Sequence, residues 1–196
     1  MKEIILATKN GHKVREIRAK AWNLKRRSGW RFRSLLDFPG MPDVEETGRT
    51  FYANAALKAR AIHELTGKPV LADDSGLSVR CLNGEPGVLS ARYAGKNSTQ
   101  KRLIAKLLRT MKGKKDRRAH FTTVMVYIDE AGRLSRATGR VKGMILDAPA
   151  GTGGFGYDPV FYYHPVRRTF GQMSEEEKNR VSHRARALAA ILAKIR

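Results

Sequence analysis

The stretch Glu3-Ile4-Ile5-Leu6-Ala7-Thr8-Lys9-Asn10-Gly11-His12-Lys13 decides the fold class of this 196-residue chain. It begins with a short apolar run, which is typical of a buried strand, and continues into a polar loop that contains a glycine. Val14, Ile17, Ala21 and Leu24 then recur at intervals of 3, 4 and 3 residues, a pattern that predicts an amphipathic helix. A strand, a polar loop and a helix in this order form the beginning of a βα unit.

The rest of the chain continues to mix predicted strands and helices. Strands are predicted at 30–35, 69–72, 77–82, 119–128, 134–141 and 160–162, and helices at 50–65, 98–111 and 174–196. The last helix starts with a capping box formed by Ser174 and Glu177. Its predicted core stripe consists of Val181, Ala185, Leu188, Leu192 and Ile195. The order predicts an α/β or α+β fold with an antiparallel centre, in a single domain over residues 1–196.

The composition indicates a basic globular protein. The net charge of +21 favours polyanionic partners, although a solvated surface accounts for most of such a charge. The runs 13–33 and 101–118 each hold nine Lys or Arg residues against one acid. Cys81 is the only cysteine, so an intrachain disulfide is excluded and a reducing compartment is expected. Since no apolar run reaches about 18 residues, we expect a cytoplasmic protein without a membrane partner.

A glycine-rich loop, Gly151-Thr152-Gly153-Gly154-Phe155-Gly156-Tyr157-Asp158-Pro159, precedes the last short strand. Glycine lets a ligand approach the main chain closely. Phe155 and Tyr157 offer flat rings to a planar base, and Asp158 can accept hydrogen bonds from a base or a ribose. An ordinary surface loop is the alternative interpretation.

Three further segments carry charge where chemistry could occur. Thr8–Lys13 leads into a helix start, where backbone N–H groups favour phosphate, although a polar turn would look the same. Asp73-Asp74-Ser75-Gly76 follows a buried strand, and a cation such as Mg²⁺ would relieve the repulsion between its carboxylates, whereas a capped turn is the alternative. Glu45 and Glu46 could complete a cation site or be plain loop charges.

The segment Lys178-Asn179-Arg180-Val181-Ser182-His183-Arg184 clusters cations near the start of the last predicted helix. Cations at a helix N-terminus oppose the helix dipole, so an anionic partner is expected there. Salt bridges to Glu175 and Glu176 are the alternative.

Together these segments resemble the inosine/xanthosine triphosphate pyrophosphatase family, the bacterial non-canonical purine NTP pyrophosphatases. The resemblance is specific because several long motifs occur in order along nearly the whole chain. They are Leu6-Ala7-Thr8-Lys9-Asn10 with Lys13, Glu45-Glu46-Thr47-Gly48 with Thr50-Phe51 and Asn54-Ala55, Ala72-Asp73-Asp74-Ser75-Gly76-Leu77, Gly84-Glu85-Pro86-Gly87-Val88 with Ser90-Ala91-Arg92-Tyr93-Ala94-Gly95, the glycine-rich loop, and Glu177-Lys178 with Ser182-His183-Arg184.

The resemblance implies an α/β fold with an elongated mixed central sheet, flanking helices and two lobes around a deep nucleotide cleft. It implies Mg²⁺-dependent hydrolysis of ITP, dITP and XTP to the monophosphate and pyrophosphate, by a homodimer, with no specific nucleic acid partner. Asp74 would accept a proton from the attacking water and bind the metal, assisted by Glu45 or Glu46. The implied substrate-binding residues are Thr8, Lys9, Asn10, Gly11, His12, Lys13, Ser75, Phe155, Gly156, Tyr157, Asp158, Lys178, His183 and Arg184.

Two residues depart from the family pattern. Ala53 stands where the family often has Glu, which predicts weaker metal binding or support from elsewhere, and His12 replaces a common Gly before Lys13. Two other functions stay open. One is a nucleotide sensor that binds without cutting, for which Ala53 leaves room. The other is a nucleic-acid-binding module that uses the basic runs, of which only 13–33 contains aromatic residues, Trp22, Trp30 and Phe32.

Overall fold

The computed structural model describes residues 2–28 and 30–195, with the backbone alone for Lys2 and residues 22–28. The predicted roles of the Trp22 and Leu24 side chains therefore lie outside the described residues. The strands are β1 (Lys2–Leu6), β2 (Trp30–Ser34), β3 (Val70–Val79), β4 (Arg118–Ile128), β5 (Leu134–Ile145), β6 (Phe161–Tyr163) and β7 (Arg168–Thr169). The α-helices are α1 (Gly11–Ser28), α2 (Phe51–Thr66), α3 (Gln100–Thr110), α4 (Glu175–Val181) and α5 (His183–Lys194).

The described strands form a mixed seven-stranded sheet in the order β2-β1-β3-β4-β5-β6-β7. β1 pairs in parallel with both β2 and β3, with Ile5 opposite Arg33 on one side and Val70 on the other. Parallel pairing needs a crossover connection, which α1 supplies between β1 and β2. β6 pairs antiparallel with β5 and with β7. The predicted α/β class, with a mixed sheet and flanking helices, is confirmed.

The chain folds as two compact units. The first unit consists of Met1–Asp74, Thr123–Gly139 and His183–Arg196, and the second of Ser75–Thr122 and Arg140–Ser182. β3, β4 and β5 each contribute residues to both units. The interpretation of these units as two lobes of one domain stays a prediction. No described helix combines the length and the apolarity needed to cross a membrane.

Helices α1 and α5 cover part of the sheet in the first unit. Their apolar residues form a buried cluster with β1, β3, β4 and β5, whose fully buried members include Ile4, Leu6, Ile17, Met125, Leu188 and Ile191. Gly139 on β5 permits a very close approach to α5. A Cβ atom there would lie 2.1 Å from the carbonyl oxygen of His183 and 2.4 Å from the backbone nitrogen of Ala187. Only glycine fits at this contact.

The second unit has its own core, which surrounds three phenylalanine rings. The ring centroid of Phe161 lies 4.6 Å from that of Phe121 and 5.0 Å from that of Phe170. Leu103 and Leu107 of α3 pack into the same cluster, as the predicted inward face of that helix requires. This core supports the glycine-rich loop, because Tyr157 and Val160 are among its buried members.

Several element boundaries differ from the predictions, and two of them affect the candidate site. β3 runs without a break through Asp73, Asp74, Ser75 and Gly76, where a strand end was expected. The predicted last helix is divided into α4 and α5 at Ser182, whose backbone is extended with ψ of 158°. Serine is a preferred residue just before a helix, and this preference was the available sequence signal for the break.

Candidate functional site

Seven charged side chains of the first unit form a connected group of ion pairs and close charges. We call this group the charged cluster, and its members are Lys13, Glu16, Glu46, Lys58, Asp73, Asp74 and Arg184. Three of them are cationic and four anionic, so the ionised cluster carries a net charge of −1. Buried charges need partners, and each of these is compensated by its neighbours. An excess negative charge suits the addition of a cation.

Asp73 is the centre of the ion pairs. Its Oδ2 lies 3.0 Å from Nζ of Lys13 and 3.4 Å from Nε of Arg184. Burial favours the neutral acid, but Lys13, Arg184 and Lys58 outweigh it and hold the pKa of Asp73 well below its usual range. Burial lowers the pKa of Lys13, and Asp73 partly restores it. Its neighbours therefore favour the ionised form of Asp73, which pairs with Lys13.

Asp74 has the opposite electrostatic character. Neighbouring strand residues point to opposite faces, so Asp74 and Asp73 leave β3 on different sides. Burial raises the pKa of Asp74, Glu46 raises it further, and Lys58 and Lys13 offset part of the shift. Asn54 donates to Oδ2 of Asp74 at 3.0 Å and so fixes the carboxylate. Of the two adjacent aspartates, Asp74 is the one whose pKa is raised.

Lys58 belongs to the site although the sequence patterns did not single it out. Its Nζ donates to Oε1 of Glu46 at 2.5 Å and to the backbone oxygen of Asp73 at 2.6 Å. Burial lowers the pKa of Lys58, but Asp73, Glu46 and Asp74 together raise it. Lys58 thus brings Glu46 into the charged cluster, whereas Glu45 is exposed. Of the two predicted acids, Glu46 is the one held near Asp74.

Glu16 is a second site residue that the predictions missed. It is buried on α1, one turn after Lys13, and accepts a hydrogen bond from Nη1 of Arg184. The sequence signal was an acid between the apolar positions Val14 and Ile17. Because Nε and Nη1 of Arg184 both donate to carboxylates, Arg184 braces Asp73 instead of presenting these atoms to a base. The expected anionic partners of this arginine are thus Glu16 and Asp73. The alternative salt bridge to Glu176 is formed by Arg180.

The loop before α1 uses most of its polar groups internally. Oδ1 of Asn10 accepts from the backbone nitrogens of His12 at 3.0 Å and Lys13 at 3.2 Å, so Asn10 caps the helix. Asn10 itself donates its backbone N–H to Oγ1 of Thr8. Lys9 forms an ion pair with Asp43 at 3.1 Å. The backbone N–H groups of His12 and Lys13 are therefore held by Asn10, and the side chain of Lys13 is the cation that this segment supplies to the charged cluster. Phosphate binding by the loop stays a prediction.

The glycine-rich loop of the second unit is organised around Asp158. Oδ2 of this buried carboxylate accepts from the backbone nitrogen of Phe155 at 2.7 Å and from Nζ of Lys178 at 2.6 Å. Lys178 also lies 4.5 Å from the ring centroid of Phe155. A Cβ atom on Gly154 would lie 2.2 Å from Asp158, which explains the glycine at this positive-φ position. Asp158 is thus the anionic partner that Lys178 was expected to have.

The two aromatic residues of the loop have different surroundings. Phe155 is half-buried, whereas Tyr157 is buried and donates its hydroxyl to the backbone oxygen of Ser90 at 2.9 Å. Tyr157 therefore anchors the loop to the core, in contrast to the expectation that both rings offer a face to a base. Ser75 is half-buried in β3, and His183 is buried at the start of α5.

The predicted metal site has two carboxylates available. Among the described residues there is no group of three His, Cys, Asp or Glu side chains that could hold a metal ion. Asp74 and Glu46 nevertheless lie close enough for the charge of Glu46 to raise the pKa of Asp74. Mg²⁺ is commonly held by one or two carboxylates, with substrate phosphates completing its coordination shell. The donor set therefore fits Mg²⁺ that arrives with a triphosphate. Ala53 lies in the first turn of α2, where its backbone N–H donates to Oγ1 of the capping residue Thr50 at 3.0 Å.

Comparisons with known proteins agree along the whole chain. A model of the Ham1 family matches residues 4–194. A dITP/XTP pyrophosphatase of Geobacillus kaustophilus is 48% identical over 193 residues, which cover 97% of this chain and 93% of that protein. The solved structure of a HAM1 protein from Coxiella burnetii is 40% identical, with a TM-score of 0.89 over 100% of this chain and 98% of that one. The Staphylococcus aureus Ham1 protein is 39% identical, with a TM-score of 0.87 over 99% and 98%.

Proposed function

This chain belongs to the Ham1 family, and from that premise we propose that it hydrolyses dITP, ITP and XTP to the monophosphate and pyrophosphate. It is a nucleoside-triphosphate pyrophosphatase. One observation carries this conclusion: the chain is 44–48% identical, over nearly its full length, to curated dITP/XTP pyrophosphatases. The charged cluster offers the groups that such a reaction needs. The nucleotide-sensor alternative is set aside, because the relatives named in this way are enzymes.

Asp74 acts as the proton acceptor. It takes a proton from a water molecule, the water oxygen forms a bond to the α-phosphorus, and the bond from that phosphorus to the α–β bridging oxygen breaks. The bridging oxygen leaves with the pyrophosphate. An aspartate with a raised pKa is a better base than an ordinary one, and Asn54 keeps the carboxylate oriented.

Lys13 and Lys58 neutralise the triphosphate. Triphosphate hydrolysis depends on positioning and charge neutralisation more than on covalent help. Both ammonium groups are held by Asp73, one through its carboxylate and the other through its backbone oxygen, so they require little reorganisation during the reaction. Ser75 stays a predicted phosphate contact, and so do the loop residues Thr8, Lys9, Asn10, Gly11 and His12.

Asp74 and Glu46 are the residues that would hold Mg²⁺. The chemistry that this ion supplies is neutralisation of phosphate charge. The pair of carboxylates supports this proposal, and Lys58 keeps Glu46 in position for it.

The glycine-rich loop is proposed to hold the base. Phe155 offers a half-buried ring, and Lys178 and Asp158 fix the shape of the loop around it. Tyr157 acts from the core and Gly156 allows the left-handed turn between the two rings. His183 stays the predicted donor to the 6-oxo group in the first unit, while Arg184 supports Asp73. A homodimer in the cytoplasm also stays a prediction.

The variant Asp74→Asn tests the assignment of the base. We expect pyrophosphate release from dITP, ITP and XTP, with much slower release from GTP and ATP, and a fall of about 10²–10⁴-fold in the variant. Binding of ITP should persist, since the amide keeps the shape of the carboxylate. Release is measured with a coupled colorimetric assay, with and without Mg²⁺, and ITP binding by equilibrium dialysis.

Asp43→Asn is the matched control, because Asp43 is an exposed aspartate beside Lys9. It should retain near-normal turnover. Near-normal turnover in Asp74→Asn would contradict the role of Asp74, and equal rates for ATP and ITP would contradict the proposed substrate class.

A further inference from the structure

A cavity of about 560 Å³ lies in the first unit beside β2, the edge strand of the sheet. α1, β2 and the turn that follows β2 line it. The lining residues are Arg18, Ala21, Trp30, Arg31, Phe32, Arg33 and Asp37. None of them belongs to the charged cluster or to the glycine-rich loop, so the proposed hydrolysis does not use them. Its volume is that of an ordinary small-ligand site.

Trp30 and Phe32 give this cavity two aromatic rings. They are two residues apart on β2 and therefore share one face of the strand. Their ring centroids lie 6.5 Å apart, and the rings meet edge to face at 81°. Both residues are only half-buried, although they pack against the core of the unit. Partly exposed rings on a strand form a platform on which flat bases can stack.

Three arginines line the same cavity, Arg18 on α1 and Arg31 and Arg33 at the positions of β2 that alternate with the rings. Arg18 forms an ion pair with Asp37 at 2.5 Å, which neutralises the acid that lines the cavity. Arg31 is exposed. Arg33 lies with its guanidinium 4.1 Å from the ring centroid of Phe38 and donates to the backbone oxygen of Asp37 at 3.0 Å. The lining therefore has an excess of positive charge next to its aromatic rings.

A second basic cavity has no aromatic lining. It occupies about 470 Å³ in the second unit, between the end of α3 and the start of β4. Its charged lining residues are Arg109, Lys112, Lys114, Lys115, Arg117 and Asp147. This surface can attract phosphate but offers bases nothing to stack on. The combination of rings and arginines occurs at β2.

We propose that the β2 cavity binds a single strand of nucleic acid. Bases stack on Trp30 and Phe32, and the nucleic acid passes over the exposed edge of β2, so that phosphates lie against Arg31. Single strands are favoured because the bases of a duplex are already stacked and paired. Stacking does not read sequence, so the binding is tolerant of sequence, and the net charge of +21 draws the strand to the protein.

The test uses a fluorescein-labelled oligothymidylate of about 15 nucleotides with a 5′-hydroxyl end. It contains neither a purine nor a triphosphate, so it does not report on the hydrolytic site. Binding is followed by fluorescence anisotropy at about 0.15 M NaCl and over a salt series. Phe32→Leu removes a ring but keeps an apolar side chain, and we expect it to weaken binding about tenfold. Arg31→Glu should weaken binding by a similar factor and reduce the salt slope by about one.

Lys101→Glu is the matched control for charge, because Lys101 is exposed on α3 in the other basic run. It should weaken binding less than about threefold. All three variants should hydrolyse ITP at the normal rate. Equal losses in Arg31→Glu and Lys101→Glu, equally tight binding of a duplex, or no binding at this salt concentration would each overturn the proposal. If Phe32→Leu unfolds, the exposed Arg31→Glu variant still decides.

Discussion

Single residues of the charged cluster show how the chain keeps reactive groups in a buried place. Asp73 and Asp74 are adjacent, yet the pKa of one is lowered and that of the other is raised. Burial raises the pKa of both carboxyls, but at Asp73 the cations Lys13, Arg184 and Lys58 outweigh it. At Asp74 burial prevails, because Glu46 adds to it and Lys58 and Lys13 offset only part of the shift. This contrast supports the proposed division of roles, in which Asp73 holds the neighbouring cations and Asp74 is the base.

The buried Glu16 should contribute more to the free energy of unfolding than a surface glutamate does. Glu16→Gln leaves the buried guanidinium of Arg184 with one carboxylate fewer, and breaking a buried ion pair costs about 3–5 kcal/mol. For a chain of this size, that corresponds to a fall in Tm of about 6–20 °C. Thermal unfolding followed by circular dichroism measures it.

Glu3→Gln serves as the comparison, since Glu3 pairs with Lys68 at the surface at 2.8 Å. Exposed pairs contribute below about 1 kcal/mol, so this variant should unfold close to the parent temperature. Equal shifts in the two variants would mean that burial of Glu16 has no special weight.

Sequence patterns single out the candidate residues that lie in motifs, and they miss those that become distinctive only through pairing across the fold. Asp74, Lys13 and Asp158 could be predicted because their local patterns are unusual. Lys58 could not, since a lysine on a helix is ordinary until Glu46 and the backbone of Asp73 are placed beside it. Arg184 was singled out from its motif, but its partners on β3 and α1 could not be, because they lie 111 and 168 residues away in the chain.

At the scale of elements, helix and strand periodicity predicted nearly every described helix and strand. The two misplaced boundaries that affect the candidate site have different causes. Two adjacent aspartates suggested the end of β3, but lysine and arginine partners let the strand continue through them. The 4-3-4-3 apolar stripe suggested one final helix. The stripe actually serves two cores, since Val181 packs in the second unit and Leu188 in the first.

Gly139 should be the most sensitive small residue of β5. In Gly139→Ala the new methyl group meets the backbone of α5, which cannot move as a flexible side chain would. Overpacking of this kind costs about 1–3 kcal/mol, or a fall in Tm of about 2–12 °C. Urea unfolding of the purified variant gives the value directly.

Thr138→Ala is the control, because Thr138 directly precedes Gly139 on the same strand and is exposed. It should change the free energy of unfolding by less than about 1 kcal/mol. A Gly139→Ala variant as stable as Thr138→Ala would show that α5 moves away from the strand at little cost.

The high net charge of the whole molecule does not come from its buried charged cluster. The charged cluster is nearly neutral, so the net charge of +21 resides elsewhere, and like charges at that density repel one another. Repulsion of this kind is screened by salt, because the Debye length falls from about 30 Å at 0.01 M to about 10 Å at 0.1 M.

The protein should therefore become more stable as salt is added. Between about 0.01 M and 0.2 M NaCl we expect Tm to rise by about 2–4 °C, which corresponds to about 1 kcal/mol for this chain length. Sodium sulfate at equal ionic strength is the control. A far larger rise in sulfate would indicate binding of the anion itself, and a fall in NaCl would contradict the repulsion.

The arginines of β2 also have a protective consequence. An edge strand presents unpaired backbone groups, and a second copy of the chain could pair with them to start a fibril-like association. Arg31 and Arg33 would then face the same residues of another copy, and their charges oppose that approach. The positive edge that suits an anionic strand thus discourages self-association. If modification or a bound polyanion neutralised these arginines, only the remaining surface charge would keep the molecules apart in solution.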